Sequence, residues 1–143
     1  MRIYVASSWR NQLQPDVVVA LRHSGHQVYD FKNPPNRSGF AWRDIAPDWE
    51  QWTLRRYIEA LEHPDAVAGF AEDMNALKGA ECCVLVMPCG RSAHLEFGWA
   101  VGAGKRTYIL QVAAAEPELM YKMADGIVTS VEALLEALQK VAA

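Results

Sequence analysis

Two carboxylates in the second half of the chain stand where α/β proteins do chemistry. Val84 to Leu110 reads V-L-V-M-P-C-G-R-S-A-H-L-E-F-G-W-A-V-G-A-G-K-R-T-Y-I-L, an apolar strand, a Pro/Gly/Ser turn and a helix. Glu96 falls in the first turn of that helix, read from Ala93 to about Ala103. In an open α/β sheet, ligands bind at the carboxyl ends of strands and at the helix N-termini that follow. A glutamate so placed also serves simply as a partner for the helix dipole. Asp73 is the second carboxylate, on the helix before the same strand. Cleaving a glycosidic bond takes one carboxylate to meet positive charge at the anomeric carbon and usually an acid to protonate the leaving group. Two carboxylates in different environments can do both. Taken alone, Asp73 is equally an ordinary helix-surface residue.

Around these carboxylates the sequence offers hydroxyls, amides and guanidinium groups. The first strand ends in S-S-W-R-N, which sets Ser7, Ser8, Arg10 and Asn11 at its carboxyl end. The later turn supplies Gly90, Arg91 and Ser92. Together with free N–H groups at a helix start they make an anion site, and a phosphate suits it. The alternative is that Ser92 only caps its helix and both arginines are solvated. The GxxxxGK[ST] spacing is absent and no GxGxxG follows the first strand, so nucleoside triphosphate hydrolysis and dinucleotide binding lack their usual signatures. His23, His26, His63 and His94 show no ligand spacing, so neither metal nor cofactor is expected, and His94 is expected at solvent or the site mouth. Of three cysteines, Cys82 and Cys83 are adjacent in a strand and Cys89 lies on a turn, with no CxxC pair.

The elements that must position these groups follow from pattern. Arg2 to Ala6 reads as a strand, Pro15 to Arg22 as a helix stopped by Gly25, and Gln27 to Asp30 as a second strand, a βαβ unit that implies a parallel sheet. Trp49 to His63 and Ala66 to Lys78 carry helical spacing and are separated at His63-Pro64. Cys82 to Val86 is apolar throughout, as a central strand covered on both faces should be. Thr107 to Leu110 and Ile127-Val128 complete five strands, and Val131 to Val141 is a closing helix capped by Ser130. The expected fold is α/β, a doubly wound five-stranded parallel sheet in one domain spanning 1–143. Phe31 to Pro47 has two adjacent prolines and no period; with the residues up to Trp52 it is expected to be a lid or insertion. Phe40, Trp42, Trp49 and Trp52 lie close together there. Trp42 and its neighbours can stack on a base or cover a sugar, or they can seal a sheet edge or a subunit interface.

Composition narrows the partners. The chain has 143 residues, 51% of them hydrophobic, and a formal net charge of -3. That suits one domain with a real core and gives no basic field for a nucleic acid polymer. No apolar run approaches a membrane span, and the chain enters a strand at once rather than a signal segment, so it is expected in the cytoplasm.

The segment E-D-M-N-A-L-K-G-A-E-C-C-V-L-V, followed by G-R-S-A-H-L-E-F-G-W-A-V-G-A-G-K, resembles the nucleoside 2-deoxyribosyltransferases and the related 2'-deoxynucleoside 5'-monophosphate N-glycosidases. In those proteins an aspartate, a helix end and an apolar strand precede an E-x-G-x-A helix whose glutamate attacks the anomeric carbon. Glu96, Gly98 and Ala100 match that helix; Asp73, Asn75 and Lys78 match the upstream element. R-I-Y-V-A-S-S-W-R-N is similar to the family's first strand and substrate loop. The resemblance implies a flavodoxin-like sheet and a small-molecule nucleoside or nucleotide as substrate. It also implies Glu96 as nucleophile, Asp73 as acid or partner of the departing base, and a homodimer or larger assembly. The transferases usually carry another aspartate six residues before the glutamate, where this chain has Gly90; the monophosphate N-glycosidases have a serine there, and Ser92 lies two residues later. Water as acceptor gives hydrolysis and a second base gives transfer. A non-catalytic nucleotide-binding or sensor module and an NAD-cleaving glycohydrolase remain alternatives.

Overall fold

In a computed structural model, residues 1–142 are described. Five parallel strands form one sheet in the order β2-β1-β3-β4-β5: β1 (Arg2–Ala6), β2 (Gln27–Asp30), β3 (Cys82–Val86), β4 (Arg106–Leu110) and β5 (Gly126–Val128). Every pairing is parallel, which gives the doubly wound topology that the βαβ rhythm implies. All five residues of β3 are buried, because a central strand of such a sheet is covered on both faces.

The period of two along each strand divides the core in two. Ile3, Val5, Val84, Val86 and Leu110 pack on one face under α1 (Gln14–His23) and α5 (Val131–Ala142). Tyr4, Ala6, Cys83, Leu85 and Ile109 face the other way, under α3 (Pro64–Gly79) and α4 (Arg91–Gly102). That second face carries the two carboxylates.

Gly25, with φ +86°, stops α1 and turns the chain into β2. Ser130 Oγ accepts from the Ala133 amide and starts α5, as expected. The single helix read across Trp49 to His63 is instead a short 3₁₀ turn (Trp49–Gln51) followed by α2 (Leu54–Ala60), because Thr53 caps a new helix by accepting from the Arg56 amide at 3.2 Å. Pro64 does not merely interrupt. It occupies the first turn of α3, where its missing N–H costs nothing, with His63 Nδ1 accepting from the Asp65 amide.

Phe31 to Pro47 holds one 3₁₀ turn (Trp42–Asp44) and is tied down at three points. Gly39 lies on the Trp9 ring so closely that a Cβ there would be 2.5 Å from it. Phe40 covers Gly69 of α3, and Arg37 pairs with Glu72 of α3 at 3.7 Å. No helix among the described residues is long and apolar enough to cross a membrane.

Candidate active site

Tyr4 and Tyr29 are register partners on β1 and β2 and project to the same face, where their rings stack at 5.2 Å between centroids. The Tyr29 hydroxyl donates a 2.7 Å hydrogen bond to Asp73 Oδ1. Tyr4 is fully buried, its hydroxyl has no hydrogen-bond partner, and its phenol favours the ionised form of Glu96. Two strands therefore present two phenols to two carboxylates, one from α3 and one from α4. Sequence reading missed both tyrosines; the available signal was a Tyr at matching positions of R-I-Y-V-A and Q-V-Y-D, opposite each other in a parallel register.

Burial raises the Glu96 carboxyl to about 8, the charge of Asp73 adds to the rise, and Tyr4 partly offsets it. Asp73 is raised by burial and by Glu72, against the opposing effects of Tyr29 and Arg37. Both acids resist ionisation, and Glu96 is the more strongly raised of the two. Burial also pushes the Cys89 thiol up to about 12, with Glu96 contributing, so Cys89 is an inert neighbour rather than a nucleophile.

The helix geometry corrects two expectations. α4 begins at Arg91 with Gly90 in the N-cap position, two residues earlier than read, so Glu96 stands in the second turn and not the first. It is thereby set back from the dipole end and half-buried on the inner side of the helix. Ser92 is not the cap either; Gly90 to Ser92 is exposed, and no side-chain bond caps this end.

The loop after β1 is braced against the turn after β3. Ser7 Oγ donates to the Val86 carbonyl at 2.8 Å, and Asn11 Nδ2 donates to the Pro88 carbonyl at 3.0 Å. Asn11 Oδ1 accepts from the amides of Leu13 and Gln14, both at 2.9 Å. Asn11, expected to bind substrate, is thus buried with its amide used on both sides to hold the loop and start α1. Ser8 accepts from the Arg10 amide, and Arg10 and Arg91 are exposed. Trp42 is half-buried, edge-on to Phe40 at 4.7 Å and to Trp52 at 6.0 Å, in a cluster standing on α3 at Gly69. His94 is held rather than free: Nδ1 lies 2.7 Å from the Gly90 carbonyl, and Nε2 lies 2.8 Å from the Tyr121 hydroxyl. A carbonyl only accepts, so Nδ1 carries the proton.

Two open cavities, of about 390 and 450 Å³, lie side by side between β2 and α3 and share Tyr29, Pro35, Asn75 and Ala76. Neither wall includes Glu96, Ser7 or Ser8, where the main pocket was expected. Lys78, read with Asn75 as part of the upstream motif, is exposed, and its carbonyl accepts from Lys105 at 2.8 Å.

The backbone is similar to those of several solved structures. The 2-deoxyribosyltransferase of the psychrotolerant bacterium Bacillus psychrosaccharolyticus superposes with a TM-score of 0.65 over 94% of this chain and 90% of its own, at 17% identity. This chain has the 2-deoxyribosyltransferase fold. The CMP N-glycosidase of Clostridium botulinum shares it, with a TM-score of 0.54, 16% identity and coverage of 97% of this chain and 99% of that one. So does a conserved protein of Enterococcus faecalis V583, at 0.61, 14% and 97% of each chain. No protein-family model and no curated protein matches the sequence. The likeness is one of 2-deoxyribosyltransferase backbone, across nearly the whole chain.

Proposed function

We propose that this protein is an enzyme that cleaves the N-glycosidic bond of a nucleoside or nucleoside 5'-monophosphate, with deoxyribose or ribose as the sugar. The observation that carries the reading is the pair of raised carboxylates, Asp73 and Glu96, brought from two helices onto two stacked phenols. The shared fold supports it, since one neighbour is a 2-deoxyribosyltransferase and another a CMP N-glycosidase.

In this reading the reactive form has Glu96 ionised and Asp73 protonated, a minority state at neutral pH because Glu96 is raised to about 8. Glu96 attacks C1' as the bond from C1' to the base nitrogen breaks. Positive charge developing on the sugar ring is neutralised by the Glu96 carboxylate as the glycosyl ester forms, and Asp73 gives its proton to the leaving base. Tyr29 holds Asp73 Oδ1, which leaves Oδ2 to carry that proton. Water then attacks C1', the Glu96 carboxylate is released, and Asp73 takes back a proton. A second base in place of water gives transfer. The exposed guanidinium groups of Arg10 and Arg91, on loops that Asn11 holds together, favour a 5'-phosphate and hence hydrolysis.

We further read the protein as a homodimer or larger assembly. Trp99 and Leu95 on α4 are 38% and 75% exposed, so the Trp99 face is the stronger candidate interface. The three free thiols suit the cytoplasm.

The test is release of free base from a panel of nucleosides, their monophosphates and NAD, with wild-type and Glu96→Gln protein. Base release by the wild type alone supports the reading. Binding without release would make the chain a nucleotide-binding module, and release from NAD alone would make it a glycohydrolase of that cofactor.

A further inference from the structure

α2 (Leu54–Ala60) is amphipathic with its apolar side turned outward. Leu54, Tyr57, Ile58 and Leu61 follow one another at helical spacing and so form one stripe. They are 73, 44, 56 and 44% exposed, and Ala60 is the one residue of α2 that the body of the protein buries. A surface helix turns such a stripe to its own core. Here it stays in water, as a patch of several hundred Å², the size at which exposed apolar surface marks an interface.

The charges beside the stripe say what covers it. Arg55 and Glu62 are seven residues apart, so both stand on one edge of the stripe, at its two ends. The Arg55 side chain is 90% exposed and pairs with Glu59 of its own helix at 3.2 Å, while Glu62 makes no ion pair among the described residues. An identical stripe laid against this one antiparallel brings Arg55 to Glu62 of the second copy at both ends. Laid parallel, it would set like charge against like.

We propose that the α2 stripe is a self-complementary interface, on which a second copy of this chain docks its own α2 antiparallel about a two-fold axis near Ile58. Leu54 of one copy packs against Leu61 of the other, and Ile58 meets its counterpart at the axis. The four apolar side chains supply the centre and Arg55, Glu59 and Glu62 the polar rim. This contact is distinct from Leu95 and Trp99 on α4. α2 leads through the His63 cap directly into α3, so docking anchors the start of the helix that carries Asp73.

The experiment is light scattering on the full chain, with disulfide trapping. Ile58→Lys should halve the wild-type mass and leave the circular dichroism unchanged, because the side chain is already exposed. If the Trp99 face also pairs copies, the variant leaves a dimer; if that face does not, it leaves a monomer. Glu62→Arg should weaken association about ten-fold or more, and adding Arg55→Glu should restore it. On mild oxidation Ile58→Cys should link two copies. Leu54→Cys should not, being offset from its counterpart by about 12 Å along the helices. Wild-type protein is the control for the native thiols. A wild-type monomer, a mass unchanged by Ile58→Lys, equal linking at both engineered cysteines, or no rescue by Arg55→Glu overturns the proposal. Mass is read without substrate, so failure of the glycosidase reading would leave the result standing.

Discussion

Tyr4 and Tyr29 sit directly opposite each other on neighbouring parallel strands, stacked at 5.2 Å, and each phenol attends a different carboxylate. They are chemically unequal. Tyr29 donates at 2.7 Å to Asp73, whereas the Tyr4 hydroxyl is buried without a full partner beside Glu96.

That inequality separates two variants. Tyr29→Phe removes a hydrogen bond that favours ionised Asp73, so the Asp73 carboxyl rises further and stays protonated to higher pH. The pH at which Asp73 gives up its proton should move up in the pH profile for base release, and stability should drop by about 1 kcal/mol. Tyr4→Phe deletes an unpartnered buried hydroxyl, so stability should hold or rise by about 1 kcal/mol. Its rising limb should move above that of the wild type. Urea unfolding and pH-rate profiles check both.

Glu96→Gln should lower turnover by about three orders of magnitude or more if the carboxylate is the nucleophile. In the wild type, the ionised fraction of Glu96 should rise with pH through about 8. Stability runs the other way. The folded carboxyl, at about 8, lies above its ordinary value of 4.5, so protonated Glu96 is compatible with burial and ionised Glu96 is not. The wild type should lose stability between those two pH values. Glu96→Gln should match it near pH 4, exceed it at pH 9, and show no such slope in denaturant titrations.

If the 5'-phosphate is held at the exposed turn, Arg91→Ala should raise KM for a nucleoside monophosphate about ten-fold or more and leave the unphosphorylated nucleoside unchanged. Equal effects on both substrates would leave Arg91 a solvated residue.

Gly39→Ala places a methyl 2.5 Å from the Trp9 ring and 2.9 Å from the Phe31 carbonyl oxygen. It should cost about 1–3 kcal/mol and shift tryptophan fluorescence as the segment lifts. Gly98→Ala is the control for stability. Nothing lies within 4 Å of the added atom, so it should gain about 0.5–1 kcal/mol as an interior helix position.

Light scattering at micromolar concentration should show at least a dimer, and replacing Leu95 and Trp99 with polar residues should dissociate it. A strict monomer would refute the assembly while leaving the carboxylate pair intact.

What the sequence made legible was whatever repeats within one element. β1, β2 and β3 fall at the expected residues, since short apolar runs between turn residues leave little choice, and Asp73 and Glu96 could be paired because each sits on a helix flanking the same strand. The start of α4 was misread because Gly90 adopts an extended conformation and the exposed Arg91 and Ser92 give no periodic signal. Asn11 looked like a ligand contact because its partners, the carbonyls of Val86 and Pro88, lie 75 and 77 residues away. Separation in sequence likewise hid the seat of Gly39 on Trp9, which has no period to read.

The turn at Gly25 acquires a chemical meaning from this arrangement. Tyr29 belongs to a strand at the edge of the sheet, and a slip of one residue along its neighbour would turn that side chain to the opposite face. Asp73 would lose its phenol while the backbone ladder stayed whole. A residue at Gly25 that resists φ +86° would therefore reach the proton balance of the pair from a distance, together with the bonds that Asp30 on the same strand makes to Gln14, Lys32 and Asn33.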